Sequence, residues 1–379
     1  MAQKIGIVAG EASGDLLGSH LVLAIKERLP DAEFVGIGGP KMIAAGVNSI
    51  FPMEKLAVMG YAEVLKRYFE ITSIRRKLIR YFKSNPPDVF IGVDAPDFNL
   101  HVERTLKKTG IPTIHYVSPS IWAWRRNRID KIRKSCSKVL TLFPFEKSLY
   151  DEGGIPAEYV GHPLADIIPE SSDRTAMRRN MKLPLNSKIF AFLPGSRQSE
   201  VHYMADTFIQ TAKEIRKKWV DARFLVPLAT RETRNLFEEA LYRNQATDAG
   251  FTLLFGHAVD AMIASDIVLV ASGTATLEAA LLKRPMVITY KMAPLTYSIK
   301  KRMGYQPYVG LPNILSGQFV VPELIQEEAT PENLANALVN LIQDGEVVRN
   351  LEAVFSGIHG SLRQNSAEKA SLAVLPMLT

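Results

Sequence analysis

The sequence predicts an α/β protein with two doubly wound parallel-sheet domains facing a cleft, followed by a helical C-terminal tail. Three observations lead there. Short β-rich apolar runs alternate with helix-length stretches, the pattern of parallel strands joined by covering helices. The alternation weakens once, through "IIPESSDRTAMRRNMKLPLNS", and then restarts. Glycine-rich or small-residue loops follow several of the runs, where an open parallel sheet receives ligands. The expected division is a Rossmann-like first domain over 1–165, a linker over 166–187, a second Rossmann-like domain over 188–345 and a tail over 346–379.

In the first series the strands are "KIGIVA", "EFVGIG", "DVFIGVD", "PTIHYV", "KVLTLF" and "AEYVG"; in the second they are "KIFAFLPG", "RFLVPLA", "DIVLVASG" and "PMVITY". Their near-continuous apolar character is that of strands covered on both faces. The 379 residues suit two cores better than one. A single cysteine, Cys136, excludes a disulfide scaffold and suits a reducing compartment. No apolar run approaches the roughly 18 residues of a membrane span, and the N-terminal apolar stretch lacks a cleavage pattern, so a cytoplasmic protein is expected. The net charge of +7 leaves room for an acidic partner.

The first loop, "VAGEASGDLLG" (8–18), joins a strand to a helix expected over Leu16–Leu29. Such a unit normally offers backbone N–H groups to phosphate, yet this one carries Glu11 and Asp15. It therefore suits a sugar's hydroxyls or a proton to be removed. In "GVDAPDFN" (92–99), Asp97 is placed to cap the following helix. Asp94, at the strand end with no such use, is a candidate general base; His115 and Glu11 are alternatives. "HYVSPSIWAWRRNRIDKIRK" (115–134) sets Trp122 and Trp124 among Arg125 and further cations, which suits a phosphorylated, partly apolar ligand or, equally, an anchored loop entering a basic helix.

Phosphate is better placed in the second series. In "LPGSRQSEV" (193–201), Gly195 permits close backbone approach and Arg197 offers a planar fork. In "LVASGTATLEAALLKRP" (269–285), Ser272, Gly273, Thr274 and Thr276 form a small-residue nest at a helix start. Glu278, in that helix, either favours the dipole or accepts hydrogen bonds from a ribose. No D-x-D motif and no zinc-ligand spacing occur, so no metal or other cofactor is expected, and leaving-group charge falls to protein donors.

"VAGEASGD", "DAPDFN", "IHYVSPSIWAWR", "LPGSRQSEV", "ASGTATLE", "GHPLAD" and "YVGLPNIL", in this order, resemble the motifs of the lipid-A-disaccharide synthases across nearly the whole chain. The resemblance implies the B-type glycosyltransferase fold and a metal-independent, inverting transfer. UDP-2,3-diacylglucosamine would be joined to 2,3-diacylglucosamine 1-phosphate, giving lipid A disaccharide 1-phosphate and UDP. It implies catalytic roles for Asp94, Arg197 and Glu11, and UDP contacts at Arg197, Ser272, Gly273, Thr274, Thr276 and Glu278. Acceptor contacts would fall at Ser13, Trp122, Trp124, Arg125 and Asn313.

A diacylated substrate also gives meaning to "YAEVLKRYFEITSIRRKLIRYFK" (61–83). Its apolar residues, Val64, Leu65, Tyr68 and Phe69 foremost, exceed a narrow buried stripe and are interleaved with cations, as in an interfacial helix on anionic lipid. The competing reading is a sheet-covering helix with a basic outer face. Peripheral attachment to the cytoplasmic face of the inner membrane follows from the first. The tail either returns to the first domain or exchanges between copies in a homodimer. Other UDP-sugar enzymes of the B type, epimerases among them, are the alternative. A dinucleotide oxidoreductase fits less well, because "GIGGPKMIAAG" is a poor phosphate fingerprint, and no nucleic-acid motif is present.

Overall fold

The computed structural model describes residues 2–56, 61–123, 128–293, 297, 304 and 307–378, with the side chains of 61–68 excepted. Seven strands form the first sheet: β1 (Lys4–Ala9), β2 (Glu33–Ile37), β3 (Val47–Ser49), β4 (Val89–Val93), β5 (Thr113–Tyr116), β6 (Lys138–Thr141) and β7 (Ala157–Tyr159). Six form the second: β8 (Ile189–Leu193), β9 (Arg223–Leu228), β10 (Phe251–Phe255), β11 (Ile267–Ala271), β12 (Met286–Tyr290) and β13 (Glu323–Ile325). Their orders are β3-β2-β1-β4-β5-β6-β7 and β10-β9-β8-β11-β12-β13, and adjacent strands are parallel, as in β1 with β4 and β8 with β11. Each sheet thus runs outward one way from its first strand and then reverses beside it.

The central strands are fully buried runs: VFIGV in β4, IFAFL in β8 and IVLVA in β11. Helices cover them through apolar stripes. In the helix Tyr61–Ser84, Ile74, Leu78 and Phe82 recur at helical spacing and are buried, with Phe82 edge-on to Phe90 of β4. This half of the helix is therefore a sheet cover, as the competing reading of the segment expects.

The chain divides into two compact units, Met1–Asp166 with Leu362–Thr379, and Ile167–Ser361. The expected linker contains the helix Arg174–Asn180. Its buried Arg178 donates to Ala264 O at 2.8 Å and pairs with Asp266 at 2.8 Å, inside the second unit. The tail is shared. The helix Gly345–Leu362 belongs largely to the second unit, while Ser366–Val374 packs on the helix Ala12–Lys26 of the first. Asp166 anchors that return by accepting from the backbone N–H of Gln364, Asn365 and Ser366 and from the Ser366 hydroxyl.

The opening loop is shorter than expected. Helix begins at Ala12 rather than Leu16, so only Gly10 and Glu11 join it to β1. Asp15 lies buried in the first turns. Its carboxylate accepts from the N–H groups of Gly39 (2.8 Å), Lys41 (3.0 Å) and Met42 (3.0 Å) at the start of the helix Pro40–Ala44. The acid that ought to repel phosphate is thus itself the anion on a helix N-terminus. Replacement of Asp15 by Ala strands these donors and is expected to cost about 2–4 kcal/mol of stability, read as a lowered urea midpoint, with Asn recovering part of the loss.

Candidate functional site

In the second unit a pocket of about 410 Å³ opens beyond the carboxyl ends of β8, β9, β10 and β11. Its wall includes Gly195, Arg197, Glu200, Ser272, Gly273, Thr274 and Glu278. The reversal of strand order between β8 and β11 creates this crevice, because the connections on its two sides leave toward opposite faces. The helix Thr274–Leu281 starts in it, with Gly273 as N-cap at φ 145° and ψ −161°. That conformation is essentially restricted to glycine, and the position of its missing Cβ is open space. The N–H groups at the start of this helix and its dipole favour an anion there. Arg197, 73% exposed, stands opposite as a cation whose nearest acid is Glu200 at 3.8 Å.

Glu200 was not singled out by the sequence reading. At the third position of the helix Gln198–Lys218, its carboxylate turns back to accept from Ser196 N–H (2.9 Å) and Arg197 N–H (3.2 Å), and Tyr290 donates to its other oxygen at 3.3 Å. Gly195, at φ 124°, lets the chain pass this side chain; a Cβ there would lie 2.4 Å from that of Glu200. An acid three residues past a helix start was the signal available. Glu278 differs: its carboxylate has no hydrogen bond or ion pair among the described residues, and burial raises its pKa. A half-buried acceptor of this kind can take hydrogen bonds from a pair of hydroxyls.

Thr276 does not reach the pocket. It is fully buried, donates to Gly273 O at 2.8 Å and accepts from Leu311 N–H at 3.3 Å, so its hydroxyl shapes the loop. Asn313 is likewise spent within the second unit. Its amide donates to Val321 O and Glu323 and accepts from the N–H groups of Val320 and Val321. The geometry offers it no group with which to hold an acceptor.

In the first unit the corresponding reversal lies between β1 and β4. Gly10 and Ala95 meet there, a Cβ on Gly10 falling 2.8 Å from that of Ala95. Asp94 and Ala95 both adopt left-handed conformations, with φ of 53° and 44°. Asp94 N–H donates to Tyr116 O at 2.8 Å, and the Asn99 amide donates to Asp94 O at 2.8 Å. The strand end is therefore held by its backbone, and Asp94, half-buried, keeps its carboxylate for other work. Glu11 and Ser13 are exposed beside it, at the end of β1. Asp97 is not the cap: Ala95 is, and Asp97 sits in the first turn, paired with Arg128 at 3.2 Å. His115 is fully buried, its Nδ1 2.7 Å from Glu103 Oε1.

Trp122 donates to the buried Glu146 at 3.0 Å and packs edge-on to Phe143 and Phe145. Burial raises the Glu146 pKa to about 7. The ring is thus an anchor of its loop. Trp124 and Arg125 lie outside the described residues, as do the side chains of Val64, Leu65 and Tyr68. Phe69 is 82% exposed, and no helix among the described residues is long and apolar enough to cross a membrane. For a metal, the described residues gather one group, Glu103, His115 and Cys136, but all three are buried and already hydrogen-bonded to one another.

The two sheets and the crevice define a B-type glycosyltransferase fold. The same fold occurs in a UDP-GlcNAc 2-epimerase from Neisseria meningitidis, solved with UDP-GlcNAc, at TM-score 0.66, 14% identity and 99% coverage of both chains. It occurs also in the glycotransferase of kitacinnamycin, at TM-score 0.63, 13% identity and full coverage of both. Within that class the chain belongs to the lipid-A-disaccharide synthases. The family model described as lipid-A-disaccharide synthetase matches residues 5–376. The lipid-A-disaccharide synthase of Dechloromonas aromatica is 60% identical over 378 residues, covering 100% of this chain and 99% of its own. That of Neisseria meningitidis serogroup C is 50% identical, with 98% and 97% covered.

Substituting Gly273 by Ala forces a Cβ into a glycine-only conformation at the pocket's helix start. The expected cost is about 1–3 kcal/mol, measured by urea denaturation.

Proposed function

We propose that this chain is the hexosyltransferase that makes the lipid A disaccharide: it transfers a 2,3-diacylglucosamine from UDP to a second diacylglucosamine bearing a 1-phosphate. The observation that carries this reading is full-length relatedness to lipid-A-disaccharide synthases, at 60% identity in one relative. The pocket of the second unit supplies what a nucleoside diphosphate requires. The helix start at Gly273 and the exposed Arg197 meet the phosphates, with Ser272 and Thr274 lining the approach, and Glu278 accepts from the ribose hydroxyls.

In the transfer, Asp94 takes the proton of the acceptor's hydroxyl as that oxygen bonds to the anomeric carbon from the side opposite the phosphate. The bond from that carbon to the phosphate oxygen breaks with its electron pair, inverting the centre and leaving UDP. Charge grows on the diphosphate as this happens, and donors placed in advance are worth most at that moment. Glu11 and Ser13 orient the acceptor beside the base. Because both substrates are acylated, the enzyme works at a membrane surface, where the exposed Phe69 and the outward Arg76, Lys77, Arg80 and Lys83 of the helix Tyr61–Ser84 meet anionic lipid.

Replacing Arg197 with Ala should lower turnover about 10²–10³-fold, and Lys should restore little, since a point charge lacks the two-pronged geometry. Near-full activity in the Lys variant, in steady-state assays on detergent-dispersed substrate, would reduce Arg197 to a screening charge. Asp94→Asn should abolish most turnover while leaving UDP affinity and melting temperature close to those of the unaltered protein. Retained turnover in that variant, together with loss in Glu11→Gln, would move the base to the end of β1.

A further inference from the structure

The loop that leaves β5 begins in a conformation that has to be held. Val117 stands at φ 81°, left-handed space that a β-branched residue occupies only when its surroundings over-determine it. It directly follows Tyr116, whose carbonyl accepts from Asp94 N–H at 2.8 Å, and its own N–H donates to Leu140 O of β6 at 3.1 Å. The loop therefore springs from the strand end beside Asp94. Farther along, the hydroxyls of Ser118 and Tyr150 meet at 2.7 Å, and Ile121 is buried in a cluster with Leu100, Ile132 and Val139. Glu146 adds a charged tie. It opens the helix Glu146–Glu152 and is only 2% exposed. Its Oε2 accepts from the backbone N–H groups of Leu142 (3.1 Å) and Phe143 (2.9 Å), just past the end of β6. Its Oε1 accepts from Trp122 Nε1 at 3.0 Å. One carboxylate thus pins the loop after β5 to the turn after β6.

Resting on the reading of the first unit's crevice as the acceptor site, we propose that Glu146 is a positioning residue for the acceptor: through Trp122 it fixes the loop 117–123 beside Asp94, and so sets how firmly the acceptor is held against the base. Glu146 is too deeply buried to meet a substrate, so it acts only through the indole. The edge-on packing of Trp122 against Phe143 and Phe145, themselves stacked at 5.7 Å, limits the tilt of the ring. The hydrogen bond then decides which edge of the ring points inward. A bond to an ionised acceptor is roughly twice as strong as one between neutral groups, which suits a tie that works against backbone strain at Val117. Ser120, between the anchored residues, is exposed, and Trp124 and Arg125 follow Ala123 directly in the sequence. The remaining anchors, Ser118 and Ile121, do not involve Glu146, so the loop stays attached to the core when this one tie is cut.

The test uses the full chain with detergent-dispersed UDP-2,3-diacylglucosamine and 2,3-diacylglucosamine 1-phosphate, each varied in turn. Assays run at pH 8, because burial pushes the Glu146 pKa up to about 7 and the carboxylate has to be ionised. Glu146→Gln can keep an oxygen toward Leu142 and Phe143, but then sets an amide NH₂ against the indole N–H. Trp122→Phe keeps an aromatic ring against Phe143 and Phe145 and removes only the donor. In each variant KM for the acceptor should rise about tenfold, the equivalent of one hydrogen bond to a charged group, with KM for the UDP-sugar unchanged. The double variant should be no worse than the poorer single one, since both substitutions cut the same tie. A lowered melting temperature or kcat with the acceptor KM unmoved makes Glu146 a residue of the fold alone and overturns the inference. So does an equal rise in both KM values, or a pair of losses that multiply in the double variant. If Glu146→Gln does not fold, Trp122→Phe decides by the same readings. Should the unaltered protein release no UDP in response to the acceptor, the reading of the function fails and takes the inference with it. Acceptor-dependent release beside an unmoved acceptor KM removes the inference alone.

Discussion

The reversal of strand order beside the first strand of each sheet is the constraint on which the molecule's chemistry depends. A parallel strand must be reached by a right-handed crossover, so the direction in which strands are added decides which face each helix covers. Where that direction changes, neighbouring connections part, and the strand ends between them cannot be covered by either helix. β1 and β4 part in this way in one unit, β8 and β11 in the other. Glu11, Asp94, Arg197, Ser272, Thr274 and Glu278 all stand on one of these four strand ends or in the first turns after it.

What the two crevices offer differs in sign. At several helix starts the protein supplies its own anion, among them Asp15 to the helix Pro40–Ala44, Glu200 to Gln198–Lys218 and Asp166 to Ser366–Val374. At Thr274–Leu281 the cap is a glycine with no side chain to offer, and the dipole is left for a ligand. The first unit's crevice carries carboxylates instead, Asp94 standing on a strand end fixed through its backbone N–H and carbonyl. Positive charge and oriented N–H groups suit a departing diphosphate, whereas acceptor oxygens suit a hydroxyl about to lose its proton.

Legibility in the sequence followed burial. Ten of the strands agree in position with the expected runs to within a few residues, and all of these but the short edge strand β7 are strongly apolar. The three that gave no signal, β3, β10 and β13, all lie at sheet edges; they are short or half-exposed, and lose the continuous apolar run that marks a covered strand. Missing β10 hid Gly256 and Ala258 from the reading, although both line the pocket. Loop residues were legible as residue types at strand ends, but not in what they touch. Thr276 and Asn313 carry the right chemistry and turn it inward, and the cap falls two residues before Asp97, on a left-handed Ala95. Glu103 and His115 were invisible as a pair because their meeting depends on the absence of a side chain at Gly92, twenty-three residues before His115.

The return of the chain's last residues has a consequence for how the protein comes into being. The helix Ser366–Val374 packs on the helix Ala12–Lys26, Arg28 pairs with Glu368, and Lys138 donates to Ala373 O. The first unit therefore takes its final part from the end of the chain. During synthesis, which adds residues at about 5–20 per second, this unit waits for nearly two hundred residues of the second to leave the ribosome before its surface can close. The second unit is continuous in sequence and has no such wait. The order of maturation is thereby inverted relative to the order of translation: the half made later is the first that can be complete, and the half that holds the proposed base stays open until the final turn of helix docks.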